Sequence, residues 1–291
     1  MLSLILVFIL SGLAQEKQYP EDRSYRSDER GFAQYAARSA YNTSTYALTF
    51  DDGPHVTHTP RLLDILKKYQ VKATFFIITE RLSAATRPIV KRMIEEGHIV
   101  ANHGEKHHNS NQITETEFKK NLEIAQLKLH ALYDESGVDF QQLFYRFPYA
   151  AYGANSAYHH MNAMQSLSQA LYGDNCLQFA FWDVDSNDWV ADMTSEDIFQ
   201  SLKAHELGGR AFTFESYRNA SGKLLYRKKA YTVTNPPRGG VILQHDIHEK
   251  TLKGTELFLE FAKNNGVKIV ELNELDEYRV LRQCSLKSSV F

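Results

Sequence analysis

The chain has 291 residues, 43% of them apolar, with a formal net charge of −2 and two cysteines. That apolar content is ample for a large core, and the absence of any block of like charge excludes nucleic acid as the expected partner. Cys176 and Cys284 lack metal-ligand spacing; they are two free thiols or one disulfide, and the sequence leaves both open.

Residues 1–14 are apolar and uncharged. They are too short to span a bilayer and end in Gly12-Leu13-Ala14, the small residues of a signal-peptidase site. The segment reads as a cleaved secretory signal. No cysteine follows to carry a lipid anchor, so the expected location is periplasmic or extracellular. Residues 15–44 are polar, of mixed charge and without periodicity, and read as an N-terminal extension.

Regular structure is expected from Tyr46. The apolar run 46–50 predicts a buried strand that stops at Asp51-Asp52-Gly53-Pro54. Thr59 and Pro60 then open a helix, with Thr59 as its cap. A second strand is expected at 72–78, nearly all apolar as a strand covered on both faces should be. A helix at 87–96 ends at Gly97, a short strand follows at 98–101, and a long amphipathic helix runs over 114–133 behind a Thr114/Glu117 capping box. Strands at 143–147 and 177–182 flank a helix at 160–171, and another helix spans 194–206. Residues 210–233 break this rhythm and predict an inserted β-hairpin around Asn219-Ala220-Ser221-Gly222. A strand at 240–243, a helix at 256–263, a strand at 267–270, a final helix at 272–281 and a tail at 283–291 complete the chain.

Alternating strands and helices imply a parallel sheet. The expected fold is α/β, a distorted (β/α) barrel with about seven parallel strands over residues 45–282, plus the inserted hairpin. Reactive groups in such a fold sit at the C-terminal ends of the strands. Five polar clusters fall there: Asp51-Asp52; Asn102-His103 with Glu105 and His107; Arg146 with Tyr149; Asp185 with Asp188 and Trp189; and His245-Asp246. Read singly, each has an ordinary explanation. A lone histidine pair is usually surface, Asp-Asp-Gly-Pro is usually a turn, and Trp189 alone is more often core than sugar platform. His55, His58, His159 and His160 read as solvated, and His108, next to His107, is expected to point elsewhere.

Taken together the clusters assemble a chemistry. Two histidines with three residues between them plus a carboxylate from another strand form an N/O ligand set for zinc or a similar divalent ion. Three protein ligands leave a position for water, whose pKa the ion lowers. A second carboxylate beside the ligand takes the water's proton, an arginine fixes that carboxylate, and a histidine paired with an aspartate protonates a leaving group. The expected outcome is metal-assisted hydrolysis of an amide or ester.

With these residues the chain resembles the polysaccharide deacetylase family, the NodB-homology carbohydrate esterases. Thr49 to Pro54, His103 to His107, Arg146 to Tyr149, Asp185 to Trp189, and Leu243-Gln244-His245 resemble the family's five motifs in the family's order. The resemblance implies N-deacetylation of an N-acetylated glycan. It implies Asp51 as general base, Asp52, His103 and His107 as metal ligands, His245 as general acid tuned by Asp188, and Arg146 as the group holding Asp51. The backbone N–H of Tyr149 would stabilise the oxyanion, and Trp189 and Leu243 would line the acetyl pocket. The metal is expected to be zinc, with cobalt, iron or nickel accepted by the same donors. Two motif positions depart from the family: Gly104 stands where Ser or Thr would brace the ligand loop, and Ala150 stands where Gly is usual. The stretches 151–162 and 210–233 exceed the family core and are expected to select the polymer. Peptidoglycan is the favoured glycan. The alternatives are chitin or poly-N-acetylglucosamine, acetyl-xylan by esterase action, and a non-catalytic glycan-binding module.

Overall fold

The computed structural model describes residues 37–140, 143–152, 159–279 and 283–287. The expected signal, residues 15–36 of the extension, and residues 153–158 lie outside the described residues. Among the described residues, no helix is long and apolar enough to cross a membrane.

The core is a curled sheet of parallel strands. Strand β1 (Thr45–Asp51) is buried along all but its first residue, because its run of apolar side chains is covered on both faces. Strand β9 (Gly239–His245) pairs with the whole of β1, from Thr45↔Gly239 to Asp51↔His245. The opposite edge of β1 is shared. Strand β2 (Thr74–Ile77) pairs with its end at Thr49 to Asp51, and β10 (Lys268–Val270) pairs with its beginning at Thr45 to Ala47. Outward from β2 come β3 (Ile99–Asn102), β4 (Phe144–Tyr145) and β5 (Gln178–Phe179); outward from β9 comes β6 (Val184–Asp185). The order β5-β4-β3-β2-β1-β9-β6 makes a half-barrel whose two outer strands are successive in the chain. Phe50 and Phe75 stack in its interior at 5.3 Å between ring centroids. Burial of such a side chain contributes about 1.5–3 kcal/mol.

The helices cover the sheet. Helix α1 (His58–Lys68) buries Thr59, Leu62, Leu63 and Leu66, the i, i+3, i+4, i+7 stripe of an amphipathic helix. Helix α2 is Arg87–Glu95, and α3 (Glu115–Ser136) starts at the expected Thr114/Glu117 capping box. Helix α4 is His159–Tyr172. Helix α5 (Ser195–Leu207) has its own capping box of Thr194 and Asp197, and α6 is Glu249–Asn265. Strands β7 (Gly209–Arg218) and β8 (Leu224–Val233) form the expected hairpin as a separate antiparallel pair. Cys176 and Cys284 form a disulfide, which fastens residues 283–287 near α4.

Several expectations are corrected. Thr59 is not a cap but a buried residue inside α1, donating its hydroxyl to Asp246. The strand expected at 177–182 is only the two-residue β5, and a further short strand, β6, follows it at the opposite end of the sheet, so Asp185 ends β6 and pairs with β9 rather than β4. Helix α6 begins seven residues before the expected start, at Glu249. The expected final helix is two 3-10 turns, Leu272–Glu274 and Asp276–Tyr278. Leu272, Leu275 and Tyr278 are its buried residues. Their spacing of three matches the three-residue turn of a 3-10 helix rather than 3.6. His160 is fully buried beside Phe118, not solvated.

Candidate active site

Asp51 is the last residue of β1 and Asp52 the first beyond it. Asp52 has φ 73°, a left-handed conformation that aspartate tolerates better than most residues. This turn ends the strand's alternation, so the neighbouring carboxylates face one cavity. His103 Nε2 lies 3.8 Å from Asp51 Oδ2 and 3.4 Å from Asp52 Oδ1.

His103 follows β3. Its Nδ1–H donates to the Arg146 carbonyl oxygen at 2.8 Å, which leaves the Nε2 lone pair facing Asp52. The loop then turns through Gly104 at φ +90°, where a Cβ would sit 2.6 Å from Asn121 Nδ2. Asn102 Oδ1 accepts the Gly104 N–H at 2.7 Å, and Asn121 Oδ1 accepts the Lys106 N–H at 2.7 Å. Two asparagines therefore brace the loop where the resemblance assigned that task to a hydroxyl at 104. His107 Nε2 arrives 3.2 Å from Asp52 Oδ1. Burial, then the neighbouring His103, holds the His107 imidazole down to about 4, so it is neutral and able to act as a ligand.

Asp52, His103 and His107 are the group of described residues whose ligand atoms converge, all within 4.8 Å of one another. Asp52 Oδ1 is buried without a hydrogen-bond partner. A carboxylate oxygen confronting two imidazole lone pairs is unfavourable unless a cation lies between them. The N₂O donor set and the orphaned oxygen fit a divalent metal.

Arg146 sits directly after β4 and is fully buried. One nitrogen, Nη1, donates to Asp51 Oδ1 at 2.8 Å and to Thr49 Oγ1 at 2.7 Å. Its Nε and Nη2 donate to the carbonyls of Ala180 and Phe181 at 2.8 and 2.9 Å. The guanidinium also lies over the Phe76 ring at 4.1 Å. Asp51 is thus held by a charge that is itself locked on three sides.

Across the cavity, His245 ends β9 as the register partner of Asp51. Its Nδ1–H donates to Asp188 Oδ1 at 2.6 Å, and its backbone N–H donates to Asp188 Oδ2 at 2.7 Å. The Thr251 hydroxyl donates to Asp188 Oδ2 at 2.6 Å. Burial opposes the charge on His245, but Asp188, followed by Asp52 and Asp51, outweighs it and pushes the imidazole up to about 10. Asp185 is not part of this pair. It accepts the Asn187 N–H at 2.7 Å, and burial pushes its carboxyl up to about 6.

Tyr149 has φ 58° and lays its ring 4.5 Å from that of His107. Ala150, which also has positive φ at 53°, occupies a conformation suited to the glycine expected there. Leu243 lies on β9 two residues before His245 and is buried. Trp189 follows Asp188 and is covered on one side by Phe214 and Tyr226 of the hairpin, at 4.8 and 5.3 Å. Sequence reasoning missed Thr251 and Asn121. Asn121 carried a signal, being a polar residue on the apolar stripe of α3 beside Phe118, Leu122 and Ala125.

Residues 38–165 match the family model described as polysaccharide deacetylase. That stretch contains the Asp-His-His triad, Asp51, Arg146 and Tyr149. Over that stretch, which is less than half of its length, the chain resembles the polysaccharide deacetylase family. Asp188 and His245 lie beyond the matched stretch; His245 is brought beside Asp51 by strand register, and Asp188 by its hydrogen bonds to His245. Over 88 residues the chain is 43% identical to a peptidoglycan-N-acetylglucosamine deacetylase of Bacillus cereus, covering 30% of this chain and 32% of that one. Over 231 residues it is 29% identical to the peptidoglycan-N-acetylglucosamine deacetylase PgdA of Listeria monocytogenes, covering 79% and 38%. The chain thus spans about a third of the length of these curated relatives. Its fold is like that of a family 4 acetyl xylan esterase from Clostridium thermocellum in complex with cobalt. The TM-score is 0.56 at 23% identity, over 79% of this chain and 89% of that one.

Proposed function

We propose that this chain is an exported, divalent-metal-dependent deacetylase that removes the N-acetyl group from N-acetylglucosamine in peptidoglycan. The observation that carries the reading is Asp52 Oδ1, buried and unpartnered between two histidine nitrogens, with an Asp51–Arg146 pair and a His245–Asp188 pair flanking it.

Asp52, His103 and His107 would hold a divalent ion, which when bound would supply Lewis acidity toward the acetyl carbonyl and acidify water. Asp51 accepts the proton of the attacking water, and Arg146 keeps its carboxylate aimed at the cavity. The Tyr149 N–H donates to the oxygen on which negative charge develops. His245 gives its Nε2 proton to the departing amine. Asp188, on Nδ1, fixes the ring orientation and stabilises the imidazolium. Trp189 and Leu243 line the pocket for the acetyl methyl. The products are acetate and a glycan amine, which takes up a proton and turns a neutral site into a cation.

Two relatives that act on peptidoglycan N-acetylglucosamine support this choice of glycan. The Cys176–Cys284 disulfide supports export, because disulfides persist in oxidising compartments. Zinc is the proposed ion. The test is acetate release from peptidoglycan sacculi, chitin oligomers and acetyl-xylan, before and after chelation and with metal restored. The expected result is release from sacculi above the other two, lost on chelation and regained with zinc. Release that survives a strong chelator sinks the metal mechanism. Preference for acetyl-xylan replaces the amide by an ester, and glycan binding without release makes the chain a binding module.

A further inference from the structure

The β7–β8 hairpin differs in charge from the rest of the chain. Residues 209–233 hold six basic side chains and one acidic one, a surplus of five in a chain whose formal net charge is −2. Its own carboxylate does not absorb that surplus. Arg227 and Lys229 share Glu215, at 2.7 and 3.6 Å. Arg218 donates to the Gly222 carbonyl of its own turn at 2.8 Å. Lys223 has no ion pair among the described residues. Lys228 is the anchored one, bonded through Nζ to Asp197 at 2.6 Å.

The same segment is aromatic and exposed. Phe214, Tyr217, Leu224, Tyr226 and Tyr231 are half of the large apolar side chains that stand exposed among the described residues. Arg227 lies over the Tyr217 ring at 5.3 Å. Basic residues on a free strand edge also discourage strand pairing, but edge protection gives no reason for the exposed rings beside them. A surplus of one sign beside exposed rings fits a surface that binds a polyanion.

Its placement ties this surface to the site. Phe214 and Tyr226 pack on Trp189, the residue after Asp188. Beyond that rung, β7 and β8 continue to the pair Arg218↔Leu224 and the turn. Four residues of strand carry the tip roughly 13 Å past Trp189. Side chains alternate, so Arg218 and Leu224 stand on the same face as Phe214 and Tyr226, the face that meets Trp189.

We propose that the hairpin is an arm that grips a carboxylate-bearing glycan strand as it enters the site. Arg218 and Lys223 meet the carboxylates, and Tyr226 lies against the sugars. This rests on the reading of the chain as a peptidoglycan deacetylase and deepens it: the arm makes negative charge on the polymer, and not only its acetyl groups, a determinant of the substrate.

The experiment is co-sedimentation of the full chain with peptidoglycan sacculi, with the same sacculi after carbodiimide amidation of their carboxylates, and with anionic phospholipid vesicles. Acetate release is measured in parallel. The wild type is expected to bind untreated sacculi about tenfold more tightly than amidated ones, an advantage that shrinks at high salt. The double variant Arg218→Ser, Lys223→Ser is expected to lose that difference, and Arg218→Lys to retain it. Equal binding of the wild type to both sacculi overturns the proposal, as does a double variant that still discriminates, or tighter binding to vesicles than to sacculi. Acetate release with charge-blind binding leaves the enzyme standing and removes the arm. Charge-dependent binding without acetate release does the reverse.

Discussion

Arg146 and Arg218 are the same side chain put to opposite uses. Arg146 is fully buried, and its donors are spread over Asp51, Thr49 and two carbonyls. Arg218 is exposed at the tip of the hairpin, with a single bond to a carbonyl of its own turn. In the buried site, geometry is fixed before any ligand arrives, which is what proton transfer at a stated atom requires. On the arm Arg218 and Lys223 are exposed and outside any ion pair among the described residues, which suits contact with a polymer. The two regions meet at Trp189, which belongs to the site by sequence and to the arm by packing.

The contrast is open to experiment, beginning with the largest effect. Asp51→Asn is expected to lower kcat/KM for acetate release by on the order of 10²–10⁴ while metal content, measured after dialysis, stays at the wild-type level; full activity would remove Asp51 as the base. Arg146→Met is expected to cost about 3–5 kcal/mol in urea unfolding, because it leaves Asp51 buried beside no counter-charge. A loss below about 1 kcal/mol would mean that the arginine serves chemistry alone.

Asp188→Asn tests the opposite wall of the site. His245 is raised to about 10, with Asp188 the largest contributor in that direction. Its protonated form therefore persists through neutral pH and is lost as pH rises toward that value. Removing the carboxylate lowers the imidazole pKa, so the alkaline limb of the pH–rate profile should move to lower pH. A shift of one unit would cut the rate about tenfold on that limb; an unmoved limb would assign the acid to another group. The smallest effect belongs to the arm. Lys223→Ser should change unfolding stability by less than about 0.5 kcal/mol, and a larger loss would make the tip part of the fold.

Much of this was legible in the sequence because parallel strands covered on both faces are written as apolar runs. That made β1 and β2 readable, and with them the placement of reactive residues at strand ends. The hairpin was readable because its aromatic pattern and its Asn219-Ala220-Ser221-Gly222 turn broke the βα rhythm. The Thr114/Glu117 box was readable because capping is a local interaction. What escaped was long-range. Two-residue strands such as Val184–Asp185 carry too few side chains for a period, and partnership with β9 is settled by the whole sheet. The brace of Asn121 on the His103–His107 loop joins residues 15 apart in sequence, from Lys106 to Asn121. Thr251 escaped because α6 was expected to start after it. The disulfide was left undecided because its cysteines lie 108 residues apart.

The half-barrel is open between β5 and β6, and the chain crosses that opening through Ala180 and Phe181, whose carbonyls are held by Arg146. The same guanidinium reaches β1 through Thr49 and Asp51. One residue therefore serves both as a wall of the fold and as a fixture of the site. This makes the site decay unevenly under drift. A descendant that stopped turning over its substrate would shed His107 at little cost to its shape, whereas Arg146 would be retained for folding long after its catalytic duty had lapsed. An arginine at this position is consequently poor testimony that a homologue is still an enzyme, and the two lone-pair donors facing Asp52 are far better witnesses.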